Sequence, residues 1–191
     1  VRDQALMASG LIVHKIGGEP AMPPQPDGIW GHPGRIIKDW ANAQGDQRYR
    51  RAVYTFIKRA FMYPSFLSFD METREISHQR RLPTNTPLQA LVTLNDPVYH
   101  EASQHLGKIM QSDAINNGDE SALINGFIRV VSRKPHKGEL QTLADALSVI
   151  RTEQNDDASS TTVDTAAQNA AENAWTAIAS IILNLDDALT R

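Results

Sequence analysis

Arg81-Leu82-Pro83-Thr84-Asn85-Thr86-Pro87-Leu88-Gln89-Ala90-Leu91-Val92-Thr93-Leu94-Asn95-Asp96-Pro97 sets a dense polar cluster at each end of a short apolar run. Thr86 is a natural N-cap, since its side-chain oxygen can accept an orphan amide of the first turn. Pro87 suits the first helical position because its φ is already set. Leu88, Leu91 and Val92 then form one apolar face at helical spacing. Asn95, Asp96 and Pro97 stop this helix and start the next. The pattern specifies a structural junction and names no reaction.

Downstream the apolar spacing stays helical. Val98, Ala102, Leu106, Ile109 and Met110 mark one helix, and Asp119 reads as the cap of another carrying Leu123, Phe127, Val130 and Val131. Leu140, Leu143, Ala144, Leu147 and Ile150 form the stripe of a third. Ala167, Ala170, Ala171, Ala174, Trp175, Ile178, Ile181, Ile182 and Leu185 form that of a fourth. The polar, Ser/Thr-rich stretch from Glu153 to Asp164 reads as a connection between the last two. A small antiparallel bundle is the expected C-terminal half.

Upstream the signals are mixed. Ala5, Leu6, Ala8, Ile12 and Val13 predict a helix between Arg2 and Val13, ending before Gly17-Gly18. Glu19 to Gly34 holds five prolines and three glycines, the composition of an extended, polyproline-like segment, with Trp30 as its anchor. Ala52-Val53-Tyr54-Thr55-Phe56-Ile57 is β-branched and aromatic and predicts a strand. Residues 74–79 are its expected partner in one short β-hairpin, with Tyr63 to Phe69 as an aromatic turn between them. The expected fold is mainly α: a small helical bundle in the C-terminal half, a long Pro/Gly-rich loop and one short hairpin, in a single domain over 1–191.

Composition narrows the function classes. At 41% hydrophobic and 21% charged, the 191 residues can bury a core. A net charge of −3 gives no overall field to gather nucleic acid or an anionic membrane. Between Arg48 and Arg81, however, eight basic residues face Asp70, Glu72 and Glu75, a local balance of +5. With aromatics interleaved, that segment can bind a polyanion or an acidic partner through guanidinium contacts and stacking. The competing reading makes Tyr54, Phe56 and Phe66 core and has Arg50, Arg59 and Arg81 pair with Asp70, Glu72 or helix-end carbonyls. Asn85, Gln89, Asn95 and Asp96 read as satisfying backbone groups at the junction. Cysteine is absent, which excludes disulfides, thiolate zinc and covalent haem attachment in this chain. No apolar run reaches the ~18 residues of a membrane span.

His100-Glu101-Ala102-Ser103-Gln104-His105 comes nearest to a catalytic signature and is one residue too long. Histidines five apart lie roughly 140° apart around a helix, whereas a His-Glu-x-x-His zinc site needs them four apart on one face. Glu101 with His105 is then an i,i+4 surface pair. The six histidines (His14, His32, His78, His100, His105, His136) do not cluster with carboxylates at ligand spacing. Phosphate-loop, dinucleotide and nucleophile-elbow motifs are absent as well.

Several blocks in order resemble a known family, the planctomycete cytochrome-c-associated domain catalogued as domain of unknown function fifteen fifty-three. They are Arg2-Asp3-Gln4-Ala5-Leu6 with Ser9-Gly10-Leu11, the Gly17-Gly18 loop with its Pro-rich continuation, Tyr49 through Arg59, Phe69-Asp70, Arg81 through Pro97, Ser132-Arg133-Lys134-Pro135, and Ala174-Trp175 through Asn184-Leu185-Asp186. Met62-Tyr63 stand where the family pattern has prolines, and Leu82-Pro83 replace a charged pair. The resemblance implies the C-terminal portion of a larger exported bacterial protein, periplasmic or extracellular. Its upstream domains would include a cytochrome-c module holding any haem c, with no cofactor in this chain. The family supplies no catalytic residues to carry over.

The expected function is a noncatalytic structural or binding module of an exported multidomain protein, meeting upstream domains of the same polypeptide, a partner or polysaccharide, and not nucleic acid. The candidate binding surface comprises Trp30, Trp40, Arg50, Arg59, Arg81 and Asn85. The alternative is part of an enzyme in polysaccharide breakdown or electron transfer whose site is completed upstream. A sugar site would expose the tryptophans, and a packing module would bury them.

Overall fold

Asp96 accepts the Val98 N–H at 2.8 Å and Pro97 opens α4 (Pro97–Asn117), with Val98, Ala102, Leu106 and Met110 buried along one face at intervals of four. The structure, a computed structural model, describes residues 1–25, 40–57, 62–72, 79, 84–157 and 163–190. α5 (Asp119–Val131) and α7 (Val163–Leu183) pack directly on α4, and α6 (Lys137–Asp157) and the short α8 (Asp186–Leu189) pack in turn on α5 and α7. The predicted stripes supply the core: Leu106, Leu123, Phe127, Trp175, Ile178 and Ile182 are at most 1% exposed, and Leu143 and Leu147 are buried beside them. The mainly α expectation and the C-terminal bundle hold.

Helices α4 and α7 make the most extensive contact and approach closely at one point. A Cβ built on Gly107 would lie 2.8 Å from the backbone nitrogen of Thr176, so only glycine fits there without moving a helix. At Gly126 the same addition meets the flexible end of Met110, at 2.6 Å. Arg151 closes the other side of the bundle. Its guanidinium lies 5.4 Å from the Trp175 ring centroid and pairs with Asp119.

The N-terminal half is built differently. Helix α1 (Arg2–Ala8) packs on α4 and α5, and α2 (Pro64–Ser68) packs on α3 (Pro87–Asn95). The predicted first helix is cut short at Ala8. Leu11 N–H bonds back to Leu6 O and Gly10 N–H to Met7 O, with Gly10 at φ +74°, a left-handed C-terminal turn that glycine adopts without a Cβ clash. Ile12 and Val13 leave the helix.

The predicted strand is not present. Ala52–Tyr54 forms a 3-10 turn, and extended pairing among the described residues is limited to two isolated parallel bridges, Val13 with Arg50 and Ala21 with Thr55. Tyr54, Thr55 and Phe56 are used as separate anchors while Val53 is exposed, and residues 74–78 of the proposed hairpin partner lie outside the described residues. The expected aromatic turn is the helix α2. Asp119 is the first residue of α5, with Gly118 as its N-cap at φ +87°, and it accepts from Arg151 instead of capping. The Glu153–Asp164 connection is shorter than expected, since α6 runs to Asp157 and α7 starts at Val163.

Gly107→Ala is expected to destabilise the fold by about 1–3 kcal/mol because backbone must give way. Gly126→Ala should cost less, since a methionine side chain can move aside. Urea unfolding of both variants checks the order; equal losses would mean that the α4–α7 approach is not the tight point of the bundle.

Candidate functional site

Helix α3 places the junction residues. Thr86 Oγ1 accepts the Gln89 N–H at 3.4 Å while Gln89 Oε1 accepts the Thr86 N–H at 3.1 Å, a reciprocal capping box. The Gln89 side chain, 1% exposed, also donates through Nε2 to Asp70 Oδ2 (3.2 Å) and Thr84 Oγ1 (3.1 Å). Thr93 Oγ1 donates to Asn184 Oδ1 at 2.7 Å. These bonds turn the polar side of α3 inward, so the apolar face read from the sequence points out. Leu88 and Leu91 are 56% exposed and Leu94 53%, while Val92 packs half-buried against the core.

A cleft of about 430 Å³ opens beside this junction, lined by Arg2 and Asp3 of α1, Asp70, Thr84, Gln89 and Tyr99. Its volume falls in the range of small-molecule sites. Asp3 is already committed, accepting the Ala52 N–H at 2.6 Å and the Arg51 Nε–H at 3.4 Å. Asp70, at φ +56°, accepts from the Thr84 N–H (2.9 Å) and Oγ1–H (2.8 Å), and these bonds hold its carboxyl below the usual carboxylate range. Arg2 is 4% exposed, and burial lowers its pKa. Burial raises those of the Tyr63 and Tyr99 hydroxyls, and the Tyr99 oxygen has no hydrogen-bond partner. Asp96, at the α3–α4 junction, is pushed up by its burial. Among the described residues lining this cleft no nucleophile stands against a free base, so what they offer is a place for a ligand's polar group.

A second hollow, about 250 Å³, lies between α2 and α3, with Tyr63, Pro64, Ser68, Leu91 and Val92 among its walls. Gln25 lines it, 6% exposed, and neither its amide oxygen nor its amide nitrogen has a partner.

The sequence-selected surface does not assemble into one site. Trp40 is half-buried, stacked on Tyr63 with centroids 5.8 Å apart, and its Nε1–H donates to Pro23 O at 2.9 Å. Arg50 is 1% exposed and no surface residue. It donates to the carbonyls of Gly17 and Glu19, at 2.5 and 2.6 Å, with its guanidinium 4.0 Å from the Tyr54 ring centroid. Asn85 is exposed and donates to Asp186. Trp30, Arg59 and Arg81 lie outside the described residues. Glu101 accepts from Tyr49 (2.6 Å) and Arg48 (2.9 Å), a use its His-Glu context did not signal. His14, His100, His105 and His136 are exposed, and no group of three or more metal-ligating side chains occurs among the described residues. Sequence reasoning missed Gln25, Tyr63 and Tyr99. Tyr63 carried one signal, its departure from the family pattern.

The model of the PSD1 family, described as a protein of unknown function (DUF1553), matches residues 1–147. The chain belongs to this family. The match takes in the cleft-forming helices α1 to α4, and ends within α6 before the Ala174–Asp186 block. No curated protein and no solved structure matches the chain.

The two junction carboxyls should titrate with opposite signs. The folded pKa of Asp70 is depressed, so its contribution is present above the unfolded value of about 3.9 and lost as pH falls through the folded value. That of Asp96 is raised, so its contribution is full below about 3.9 and lost as pH rises through the folded value. Urea unfolding from pH 2.5 to 7 should therefore show a shallower acid limb in Asp70→Asn. Asp96→Asn, which keeps a cap acceptor, should lose less stability than wild type as pH rises from about 4.

Proposed function

We propose that this PSD1-family chain is a noncatalytic interaction module of an exported, multidomain bacterial protein, and that the row Leu88, Leu91 and Leu94 meets a neighbouring domain of the same polypeptide. The carrying observation is the inversion of α3, which buries Gln89 and Thr93 and leaves three leucines more than half exposed. An apolar row of this kind marks an interaction surface. The same helix carries no charged residue, which suits an apolar counterpart. Export and the multidomain setting rest on the family resemblance.

Trp40 fits packing better than sugar stacking, because one face of its ring is against Tyr63 and its Nε1–H is used by Pro23. The cleft with the unpartnered Tyr99 hydroxyl supports a second reading, part of an enzyme in polysaccharide breakdown or electron transfer whose remaining groups come from upstream domains.

With its leucine row uncovered, the chain is expected to self-associate as concentration rises. Leu88→Asp/Leu91→Asp should stay monomeric and melt within about 0.5 kcal/mol of wild type, as surface substitutions do. Sedimentation velocity and thermal unfolding check both points. A wild-type chain that stays monomeric and binds no apolar dye overturns the reading. Saturable glycan-array binding that is lost in folded Trp40→Ala would replace it with a glycan-binding one.

A further inference from the structure

We propose that Asn117 is a site of spontaneous covalent change, at which the backbone nitrogen of Gly118 attacks the side-chain amide and converts the residue to aspartate and isoaspartate. Asn117 and Asn125 are the two asparagines of the chain that precede a glycine, and the fold treats them differently.

A following glycine matters because it sets no side chain beside the attacking nitrogen. That nitrogen bonds to Asn117 Cγ as the Cγ–Nδ2 bond breaks, and its proton passes through water to Nδ2, which leaves as ammonia. Water then opens the ring at either carbonyl, giving aspartate or its isomer with the backbone routed through the side-chain carbon. In the closed helix the Gly118 N–H is tied to Ala114 O at 2.9 Å, and the Asn117 amide donates to Asp113 Oδ1 at 2.6 Å. The reaction therefore goes through opening of the last turn of α4. Opening there costs little: Asn116, Asn117 and Gly118 are exposed, Ile115 is 79% exposed, and a Cβ built on Gly118 meets nothing within 4 Å. Asn125 is held otherwise. It stands in the interior of α5 before the buried Gly126, where an added Cβ would lie 2.6 Å from Met110, so its attacking nitrogen is freed only when α5 unwinds.

The position gives the change a consequence. Asp113 accepts from Asn125 Nδ2 and from Asn117 Nδ2, each at 2.6 Å, and these bonds hold its carboxyl below the usual carboxylate range. Conversion replaces one of those donors with a second carboxylate, one helical turn away at the negative end of the α4 dipole and close in sequence to Asp119 and Glu120. Gly118 both ends α4 and caps α5, its carbonyl accepting the Ala122 N–H at 3.1 Å. Isoaspartate lengthens the backbone just before that cap, so the corner between α4 and α5 is what the change loosens.

The test is incubation of the whole chain at mildly acid and mildly alkaline pH, in buffer and in unfolding urea, followed by peptide mapping that separates Asn, Asp and isoaspartate by mass and retention. In buffer Asn117 should convert at least about tenfold faster than Asn125, since opening free energies run from near zero at frayed ends to the global value in a helix interior. In urea the two rates should converge, and all should rise with pH because the attacking nitrogen reacts as its anion. Asn117→Gln, whose longer side chain closes the ring poorly, should stop conversion at that position and leave Asn125 unchanged. Asn117→Asp, as a mimic of the product, should lower the folded-to-unfolded ratio about threefold, and Asp113→Asn in the same chain should recover most of that loss. A smaller ratio of Asn117 to Asn125 in buffer overturns the proposal. So does an Asn117 that stays intact in the native chain for about ten times as long as the unfolded chain needs to convert it. An Asn117→Asp chain as stable as wild type overturns the consequence drawn for the α4–α5 corner.

Discussion

The Arg2 guanidinium couples the two halves of the molecule. Carried on α1, which packs against the bundle, it donates from Nη1 to Arg50 O and from Nη2 to Arg48 O, both at 2.7 Å. Arg50, equally buried, passes the tie on through its own guanidinium to the carbonyls of Gly17 and Glu19. Buried cations are costly unless their N–H groups are met, and here carbonyls meet most of them. With extended pairing reduced to two isolated bridges among the described residues, these side-chain bonds do for the N-terminal loops what a β-ladder does elsewhere.

That arrangement explains why α3 is turned over. The side of α3 facing the molecule meets loop backbone, the strained Asp70 and the turn after α7, all of which present hydrogen-bonding groups. Gln89 and Thr93 satisfy them; leucines would leave buried polar atoms unpaired. The leucines are therefore displaced to solvent, and the exposed row follows from the polar requirement beneath it.

The bundle was legible because its helices obey the simple rule that apolar residues face apolar residues at a period of 3.6. Val98 to Met110, Leu123 to Val131, and Trp175, Ile178 and Ile182 lie where that rule puts them, while Ile181, read into the same stripe, is exposed. It fails where the buried surroundings are polar. The Thr86 cap was readable from local chemistry, but the direction of the α3 face depended on Asp70 and Asn184, 16 and 98 residues away. Likewise Val53, Tyr54 and Phe56 have strand propensity, yet Tyr54 is drawn to the Arg50 guanidinium and Phe56 to Trp40, which breaks the run into separate contacts. Of the candidate residues, Arg50 and Trp40 were found for their chemistry and serve it internally. Gln25, in a proline-rich run with no periodicity, carried no signal of its burial.

Two unpartnered polar groups distinguish the cavities beside the junction. The Tyr99 hydroxyl in the larger cleft stands among groups already committed to one another: Asp3 to Ala52, Asp70 to Thr84, Arg2 to Arg48 and Arg50. A ligand there must compete with the bonds that hold α1 and the loops in place. Gln25 sets the opposite case at the smaller hollow: both atoms of its amide are closed to solvent, so an occupant there meets the apolar walls of Tyr63, Pro64, Leu91 and Val92 and leaves that amide as it is.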